Sequence, residues 1–395
     1  MQRMKLNIGL LALCQAIAQS GNTNLATTGA LIGLGLTGSE AKSTWPMAAS
    51  IFATLLTTIP ASLFMARYGR RAGFLIAFAS GVAAALLISL AVTRGSFPIF
   101  MLGTAAMGIM MGTTGYLRFA AVELVTEEWR SRAISLVLAG GVMAGIAGPS
   151  LSKWGVGIFP SAPLAGGYVL WLPLAAIAMG LIALIGFKAP TARSIRISDS
   201  LRYLIAETNL VAIVFMATAA FLIMAVLMTA TPLAMHHHHL GFESTTEVIR
   251  AHMLGMFVPS FFTGYLIRYF GQRAVIAAGC LLYLICIAVN FTDIGYWNFM
   301  AALILLGVGW NFLFVAASQL LVSQIKAEHQ GAAQAINDFV IAAGLALSVA
   351  FTGKVHELIG WQNLNLVAIP LVLLLFYVGF LKIARPAGSK PVSAR

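Results

Sequence analysis

The sequence predicts an all-α membrane protein in which twelve transmembrane helices form two pseudo-symmetric six-helix halves. Three observations support this prediction: the composition, a series of long apolar runs, and a repeat at half the chain length. Of the 395 residues, 60% are hydrophobic and only 9% are charged, and the mean hydropathy is +0.91. A water-soluble fold of this size needs more charge to cover its surface. Apolar runs long enough to cross a bilayer recur along almost the whole chain.

The apolar runs define the helices in order. The predicted spans are 6–34, 44–66, 72–93, 96–124, 132–152, 168–187, 209–235, 246–268, 272–292, 297–323, 331–353 and 363–384. The segment Met1–Lys5 is basic, like the start of a signal peptide, but the apolar stretch after it is too long and carries Gln15 and Gln19. We therefore expect it to be the first span, with a polar face turned away from lipid.

The distribution of basic residues predicts the orientation in the membrane. Eighteen of the 24 Lys and Arg fall at the N-terminus, at the even-to-odd turns or at the C-terminus. The opposite side receives Lys42, Arg94, Lys153, Arg250 and Lys354, and Arg118 lies inside a span. By the positive-inside rule both termini are cytoplasmic, as expected for a multi-pass protein of a bacterial inner membrane. The net charge of +12 is thus a topology signal. The lipid bilayer is the expected partner, and nucleic acid is not.

A short motif recurs in the two halves of the chain. The turn after span 2 reads Ala66-Arg67-Tyr68-Gly69-Arg70-Arg71, and the turn after span 8 reads Ile267-Arg268-Tyr269-Phe270-Gly271-Gln272-Arg273. The stretch 188–208 begins with a polar, basic segment that suits a cytoplasmic linker. We therefore predict an N-terminal six-helix half at 1–187, a linker at 188–208 and a C-terminal half at 209–395. Two such halves are typical of secondary transporters whose substrate site lies near the midplane.

At these residues the chain resembles the major facilitator superfamily. The residues that match the family's loop 2–3 signature are Arg67, Gly69, Arg70 and Arg71, with Gly264, Leu266, Gly271 and Arg273 in the second half. Ser62 and Ala66 depart from that signature, replacing a glycine and an acid. Gly145 to Pro149 look like the family's Gly-Pro motif in span 5. The resemblance implies the fold and a transport function, not an enzyme, and does not identify the cargo.

Soft ligands inside spans 7 and 8 suggest a metal cargo. Span 7 carries Met216, Met224, Met228 and Met235, whose spacings are same-face intervals of a helix. Span 8 carries His252 and, one turn later, Met256. Counted from the shared outer turn at roughly 1.5 Å per residue, Met228 and His252 lie about 10 Å deep, and Met224 and Met256 about 15 Å deep. If the two helices are packed neighbours, these four side chains face one another.

Three thioethers and one imidazole form a soft site without formal charge. Thioether sulfur suits Cu(I), whereas divalent zinc, nickel or manganese prefer thiolates, more imidazoles or carboxylates. Packing is the alternative reading, because methionine fills irregular gaps in apolar cores.

The same four residues carry a second resemblance, to the CcoA-type copper importers of the superfamily. Their signature is Met-x-x-x-Met on span 7 and His-x-x-x-Met on span 8, and both motifs are intact here at Met224, Met228, His252 and Met256. The resemblance implies import of Cu(I) as transported substrate, without a prosthetic group, for biogenesis of heme–copper cytochrome oxidase. A copper chaperone in the periplasm or the cytoplasm would be a partner.

Secondary candidates lie at the ends of the spans. Met235 is followed by four histidines, His236, His237, His238 and His239, at the outer end of span 7. They are either a metal-capture site at the cavity mouth or a solvated loop. Asp338 lies about two turns inside span 11 and is either a proton relay or a structural hydrogen-bonding group. Arg118 and Glu123 suggest a gate or loop anchor near the cytoplasm.

An organic cargo such as riboflavin is the alternative to copper, since the wider family contains flavin carriers. Trp310 and Asn311 in span 10, with Gln15 and Gln19 in span 1, would then contact it. The chain has no phosphate-binding Gly-Lys-Ser/Thr motif, so ATP-driven transport by this chain alone is not expected. The three cysteines fall within spans and predict packing rather than a disulfide framework.

Overall fold

The computed structural model describes residues 2–126, 129–187, 209–326 and 329–383, and within these ranges the chain forms helices and turns but no strand. The predicted linker at 188–208 lies outside the described residues. The division into halves at 187 and 209 therefore stays a prediction.

The first six helices follow the predicted order closely. They are α1 (Gln2–Thr37), α2 (Glu40–Ser43 and Trp45–Tyr68), α3 (Arg70–Arg94), α4 (Phe97–Thr114 and Leu117–Glu123), α5 (Arg130–Gly155) and α6 (Gly166–Leu184). The first span is longer than the predicted 6–34, because helical hydrogen bonding extends past the apolar stretch at both ends.

The last six helices include two that continue through a kink. They begin with α7 (Leu210–His237) and α8 (Phe242–Phe257). The helix Ser260–Thr292 bends at Gly271, so that 260–270 continues α8 and 272–292 is α9. Next come α10 (Tyr296–Gln324) and the helix Gln330–Phe376, which bends at Gly360 into α11 (330–359) and α12 (361–376). A π-helical segment, Tyr377–Ile383, follows α12.

These segments confirm the all-α fold, with helix at each of the twelve predicted spans. Among the described residues, eight helices are long and apolar enough to cross a membrane, and one of them contains both α11 and α12. The predicted spans 1, 5 and 8 are helical but do not meet this length and hydropathy criterion. For α8 the reason is its break, which leaves 16 residues before the kink. The protein is a multi-pass membrane protein.

The repeated glycine motif has the same backbone conformation in both copies. Gly69 has φ 91° and ψ 159°, and Gly271 has φ 83° and ψ 159°. Only glycine adopts this region without strain, because a Cβ atom would clash with the neighbouring backbone. The two turns are therefore structurally equivalent, as the sequence repeat predicts.

The break in α8 corrects the predicted span 246–268. The helical hydrogen-bond pattern is interrupted at Val258 and Pro259, although both keep helical φ/ψ angles, and the helix resumes at Ser260. Proline lacks an N–H group and clashes with the carbonyl of the preceding turn, so it ends the first segment. The helix also begins earlier than predicted, at Phe242.

The buried side chains form two large clusters and one small one. One large cluster draws its buried members from Ile8 to Ile185, and the other from Leu210 to Leu375. The small cluster joins the two groups of helices and contains Ala30, Met47, Ala48, Ala225, Leu233 and Val349. Across the boundary α2 packs on α11, α5 on α8 and α1 on α7.

We call the end of the bundle that carries the α1–α2, α5–α6, α7–α8 and α11–α12 turns the outer end. The charge pattern predicts that it faces away from the cytoplasm. The opposite end is the inner end.

Candidate functional site

His252 is completely buried in α8 and has a defined tautomer. Its Nδ1 lies 2.8 Å from the main-chain oxygen of Leu303 in α10. A carbonyl oxygen can only accept, so Nδ1 carries the proton and donates it. Nε2 then holds a lone pair, and it has no hydrogen-bond partner within the described part of the chain. A histidine that donates Nδ1–H to a carbonyl and leaves Nε2 free is arranged as metal-binding histidines usually are.

Two glycines allow α8 and α10 to approach closely at this point. A Cβ atom at Gly307 would lie 2.6 Å from the main-chain oxygen of His252 and 2.9 Å from the nitrogen of Met256. A Cβ at Gly255 would lie 3.0 Å from the oxygen of Ile304. Small side chains thus let the backbones meet, which brings the His252 ring within reach of α10.

The methionines of the predicted copper site are in the cluster of the second group of helices. Met224 and Met256 are buried and Met228 is partly buried there. However, α8 packs mainly on α10 and α5, whereas α7 packs mainly on α10 and the α11–α12 helix. The sequence argument assumed that α7 and α8 pack side by side, but their mutual contact is small. The convergence of Met224, Met228, His252 and Met256 therefore stays a prediction.

An aromatic cluster links α7 and α10. Trp310 stacks on Phe314 with ring centroids 5.0 Å apart and an interplanar angle of 8°, and Phe221 meets Trp310 edge-on at 4.9 Å. Trp310 is buried, while Phe221 and Phe314 are partly exposed. The indole Nε1 has no hydrogen-bond partner among the residues described, and neither has the side-chain oxygen Oε1 of Gln19 in α1. Buried donors and acceptors are normally paired, so these two atoms are candidates for contact with a solute.

Asn311 has a structural role instead of the predicted cargo contact. Its Nδ2 donates to the main-chain oxygen of Met256 at 2.7 Å and to the Ser260 hydroxyl at 2.5 Å. Its Oδ1 accepts from Thr263 at 2.6 Å. The amide is thus fully engaged in tying α10 to the broken part of α8.

Ion pairs join α5 and α8 at the outer end. Lys153 of α5 pairs with Glu243 of α8, and its Nζ lies 3.8 Å from an oxygen of Glu247. Arg250 of α8 donates to the Ser150 hydroxyl at 3.3 Å. The hydrogen bond from Lys153 and its charge lower the pKa of the Glu243 carboxyl. These contacts connect the two groups of helices at this end.

A second set of charges lies near the inner end. Asp338 of α11 accepts from Gln334 at 2.6 Å, and it faces Arg118 of α4 at 3.9 Å. The Asp338 side chain is 49% exposed, so it is not sealed in the apolar interior. Glu123 pairs with Arg70 of the α2–α3 signature turn at 2.7 Å. The family signature has an acid at the position of Ala66. In this chain Glu123 of α4 instead supplies a carboxylate that pairs with the signature arginine.

Of the four adjacent histidines, one joins a cluster of metal-binding side chains. His237 lies beside Glu40 of α2 and His356 of α11. His236, His238 and His239 are exposed, and Met235 is fully buried in the apolar core. Sequence reasoning missed Glu40 and His356. The signal available was their position at the outer ends of spans 2 and 11, the same end as the histidine run.

The cysteines follow the packing prediction. Cys14, Cys280 and Cys286 are free and buried.

Comparison with known proteins identifies the class. The Major Facilitator Superfamily profile matches residues 11–246 and 210–395, nearly the whole chain. The chain belongs to the major facilitator superfamily, and it is a transporter, not an enzyme.

Individual members of the superfamily resemble this chain over nearly its whole length. The chain is 32% identical over 390 residues to the riboflavin transporter RfnT of Brucella anthropi, covering 97% of each chain. The crystal structure of the nucleoside transporter NupG matches with a TM-score of 0.75 at 12% identity, covering 95% of this chain and 98% of NupG. A D-xylose-proton symporter matches with a TM-score of 0.73 at 12% identity, over 96% and 98% of the two chains. The two structural matches show the fold alone.

Proposed function

We propose that this protein is a secondary transporter whose cargo is a planar heteroaromatic solute of the flavin class. The support from sequence is the likeness to a riboflavin transporter over 97% of both chains. This likeness favours the organic cargo over copper, because it covers all the spans rather than four residues.

The observation that carries the proposal is the aromatic cluster at α7 and α10. Two partly exposed rings, Phe221 and Phe314, flank the buried Trp310. Such rings bind a flat ring system by offset stacking and edge contacts, which contribute about 1 kcal/mol each beyond burial. The free Nε1 of Trp310 can donate to a ring oxygen or nitrogen, and Gln19 Oε1 can accept from a ring N–H or a hydroxyl.

Transport would proceed by alternate opening of the two ends. The outer contacts between α5 and α8 and the inner pair of Arg118 with Asp338 both cross between the two groups of helices. Opening one end requires breaking its contacts while those of the other end persist. We place this carrier in a bacterial inner membrane with both termini cytoplasmic, following the charge pattern.

The test is uptake of radiolabelled riboflavin by proteoliposomes that contain the purified protein. Trp310→Ala should reduce uptake about 10-fold or more, since it removes the indole donor and the ring against which Phe221 and Phe314 pack. Trp297→Ala is the matched control, because Trp297 lies at the start of the same helix and is 75% exposed. Wild-type uptake by the Trp310 variant would contradict the assignment of the cargo site.

Copper remains a second candidate because of one specific observation. His252 presents a free Nε2 lone pair in the buried cluster that also holds Met224, Met228 and Met256. Met256→Leu should abolish uptake of Cu(I), and Met253→Leu, its buried neighbour on α8, should not. If copper is accumulated and riboflavin is not, copper import replaces the flavin proposal.

A further inference from the structure

A three-residue cluster at the outer end has the composition of a metal site. Glu40 lies in the first turn of α2, His237 in the last turn of α7 and His356 in α11. We call these residues the outer triad. The Glu40 carboxylate contacts both imidazoles: one oxygen meets His237 Nε2, and the other lies 2.8 Å from His356 Nδ1. The three potential ligand atoms lie within 4.8 Å of one another.

The start of α2 packs closely on α11, which fixes the positions of two of the three triad residues, Glu40 and His356. A Cβ atom at Gly353 of α11 would lie 2.0 Å from the main-chain oxygen of Glu40, and the Thr44 hydroxyl donates a hydrogen bond to the main-chain oxygen of Ala350 at 3.3 Å. The start of α2 is therefore seated directly on α11. Ligands placed by packed helices are better positioned than ligands on loops.

The histidine on α11 would bind the ion through the nitrogen that faces Glu40. The His356 side chain is 5% exposed, and its Nδ1 is the atom that lies 2.8 Å from the Glu40 carboxylate. A histidine nitrogen must lose its proton to bind a metal, so the ion would replace the Nδ1 proton at this position. The triad also lines a cleft of about 420 Å³, to which His238 and Glu357 contribute, so a small ion and water have access.

We propose that the outer triad binds a divalent transition-metal cation, with Zn²⁺ the best match. Two imidazoles and one carboxylate are a common three-ligand set for zinc, with a fourth position left for water or a nearby side chain. Calcium and magnesium would require more oxygen ligands. Copper(I) would prefer the thioethers that the triad lacks.

The proposed ion would bridge the two groups of helices. Glu40 belongs to α2, whereas both histidines belong to α7 and α11, so a bound cation adds a link across the outer end. Zinc would therefore stabilise the outer-closed conformation. This inference does not depend on the cargo, because binding is measured without any transported solute.

The test is a zinc titration of the purified full-length protein in lipid nanodiscs. Wild-type protein should bind one Zn²⁺ per chain at this site, and the ion should raise the unfolding temperature. His356→Ala and His237→Ala should each weaken binding about 100-fold and remove the thermal shift, since a lost ligand costs at least as much as a lost outer-shell group. His239→Ala is the matched control from the same histidine run and should bind as wild type does.

A separate variant tests whether Glu40 links the two groups of helices through the ion, and it is conservative enough to leave the fold intact. Glu40→Gln keeps the size of the side chain but removes its charge, and it should weaken zinc binding while the protein still elutes as a single species. Unchanged affinity in Glu40→Gln would overturn the bridge between the two groups of helices. Unchanged affinity in both histidine variants, or an equal loss in His239→Ala, would overturn the site.

Discussion

At the scale of single residues, the useful distinction is between buried polar groups that are satisfied and those that are not. Asn311 and Trp310 are adjacent in α10 and both buried, yet the amide of Asn311 has partners at both ends while the indole N–H of Trp310 has none within the described chain. We therefore assign a stabilising role to Asn311 and cargo contact to Trp310. An unpaired donor in a transporter interior costs free energy unless a solute accepts its hydrogen bond.

Replacing Asn311 separates these two roles. Asn311→Leu leaves the Met256 carbonyl and the Ser260 and Thr263 hydroxyls short of a partner, and each buried group left unpaired costs about 1–3 kcal/mol. We expect a lower unfolding temperature and a flavin dissociation constant within about twofold of wild type. Thermal unfolding and ligand titration measure the two quantities on one preparation. An unchanged unfolding temperature with much weaker flavin binding would place Asn311 in the cargo site instead.

At the scale of helices, glycine decides which pairs pack closely. Gly255 and Gly307 let α8 and α10 pack closely. At Gly145 of α5, a Cβ atom would lie only 2.9 Å from the Cβ of Met253 on α8, so this glycine lets α5 and α8 pack closely as well. The hydrogen bond from His252 to Leu303 depends on the first of these contacts.

A single methyl group should disturb that contact. Gly307→Ala places a Cβ 2.6 Å from the His252 oxygen, so α8 and α10 must separate. We expect a destabilisation of about 1–3 kcal/mol, the usual cost of overpacking. Gly180→Ala in α6 is the control, because nothing lies within 4 Å of its added carbon. Equal unfolding temperatures for both variants would argue against the close approach of α8 and α10.

The charged contact between α5 and α8 makes a prediction about closure of the outer end. Lys153→Glu should shift the protein towards the outer-open conformation by repelling Glu243 and Glu247, and adding Glu243→Lys should partly restore closure. Spin labels on cysteines that replace Gly157 and Gly241, where an added side chain has free space, measure the distance between the outer ends of α5 and α8. High salt should weaken the effect, since the pair is exposed. Identical distance distributions in wild type and Lys153→Glu would show that the pair does not hold the outer end.

The same contact should resist mild acid. Because the hydrogen bond from Lys153 lowers the pKa of Glu243 below its ordinary 4.5, the contribution of the pair is complete above that value and is lost only as pH falls through the lower folded-state pKa. We expect unchanged label distances between pH 7 and pH 5.5. Opening of the outer end between pH 7 and pH 5.5 would contradict a lowered pKa of the Glu243 carboxyl.

At the scale of the molecule, the two groups of helices have separate cores and meet mainly along α2–α11 and α5–α8. Such an arrangement lets each group move as a unit about a site between them, as alternating access requires. The outer triad, the Lys153 contacts and the Arg118–Asp338 pair all lie at the ends of this interface.

The sequence was sufficient for the fold because hydropathy and glycine turns act locally. The spans, the repeat at Gly69 and Gly271 and the order of the helices could all be predicted. It was not sufficient for the site, because contacts such as those of Glu40 with His356 join residues 316 positions apart. The depth argument for Met228 and His252 likewise could not tell that α8 packs on α10 and α5.

The central claim is that a flat aromatic solute binds at the cluster of Phe221, Trp310 and Phe314, and flavin fluorescence tests it most directly. Titrating riboflavin with purified protein should quench its fluorescence saturably, because stacking on an aromatic ring quenches the flavin. Trp310→Ala should lose the quenching, Trp297→Ala should keep it, and added Cu(I) should not reverse it. Absence of saturable quenching in wild type, together with tight Cu(I) binding that requires His252 and Met256, would contradict the claim and favour a copper carrier.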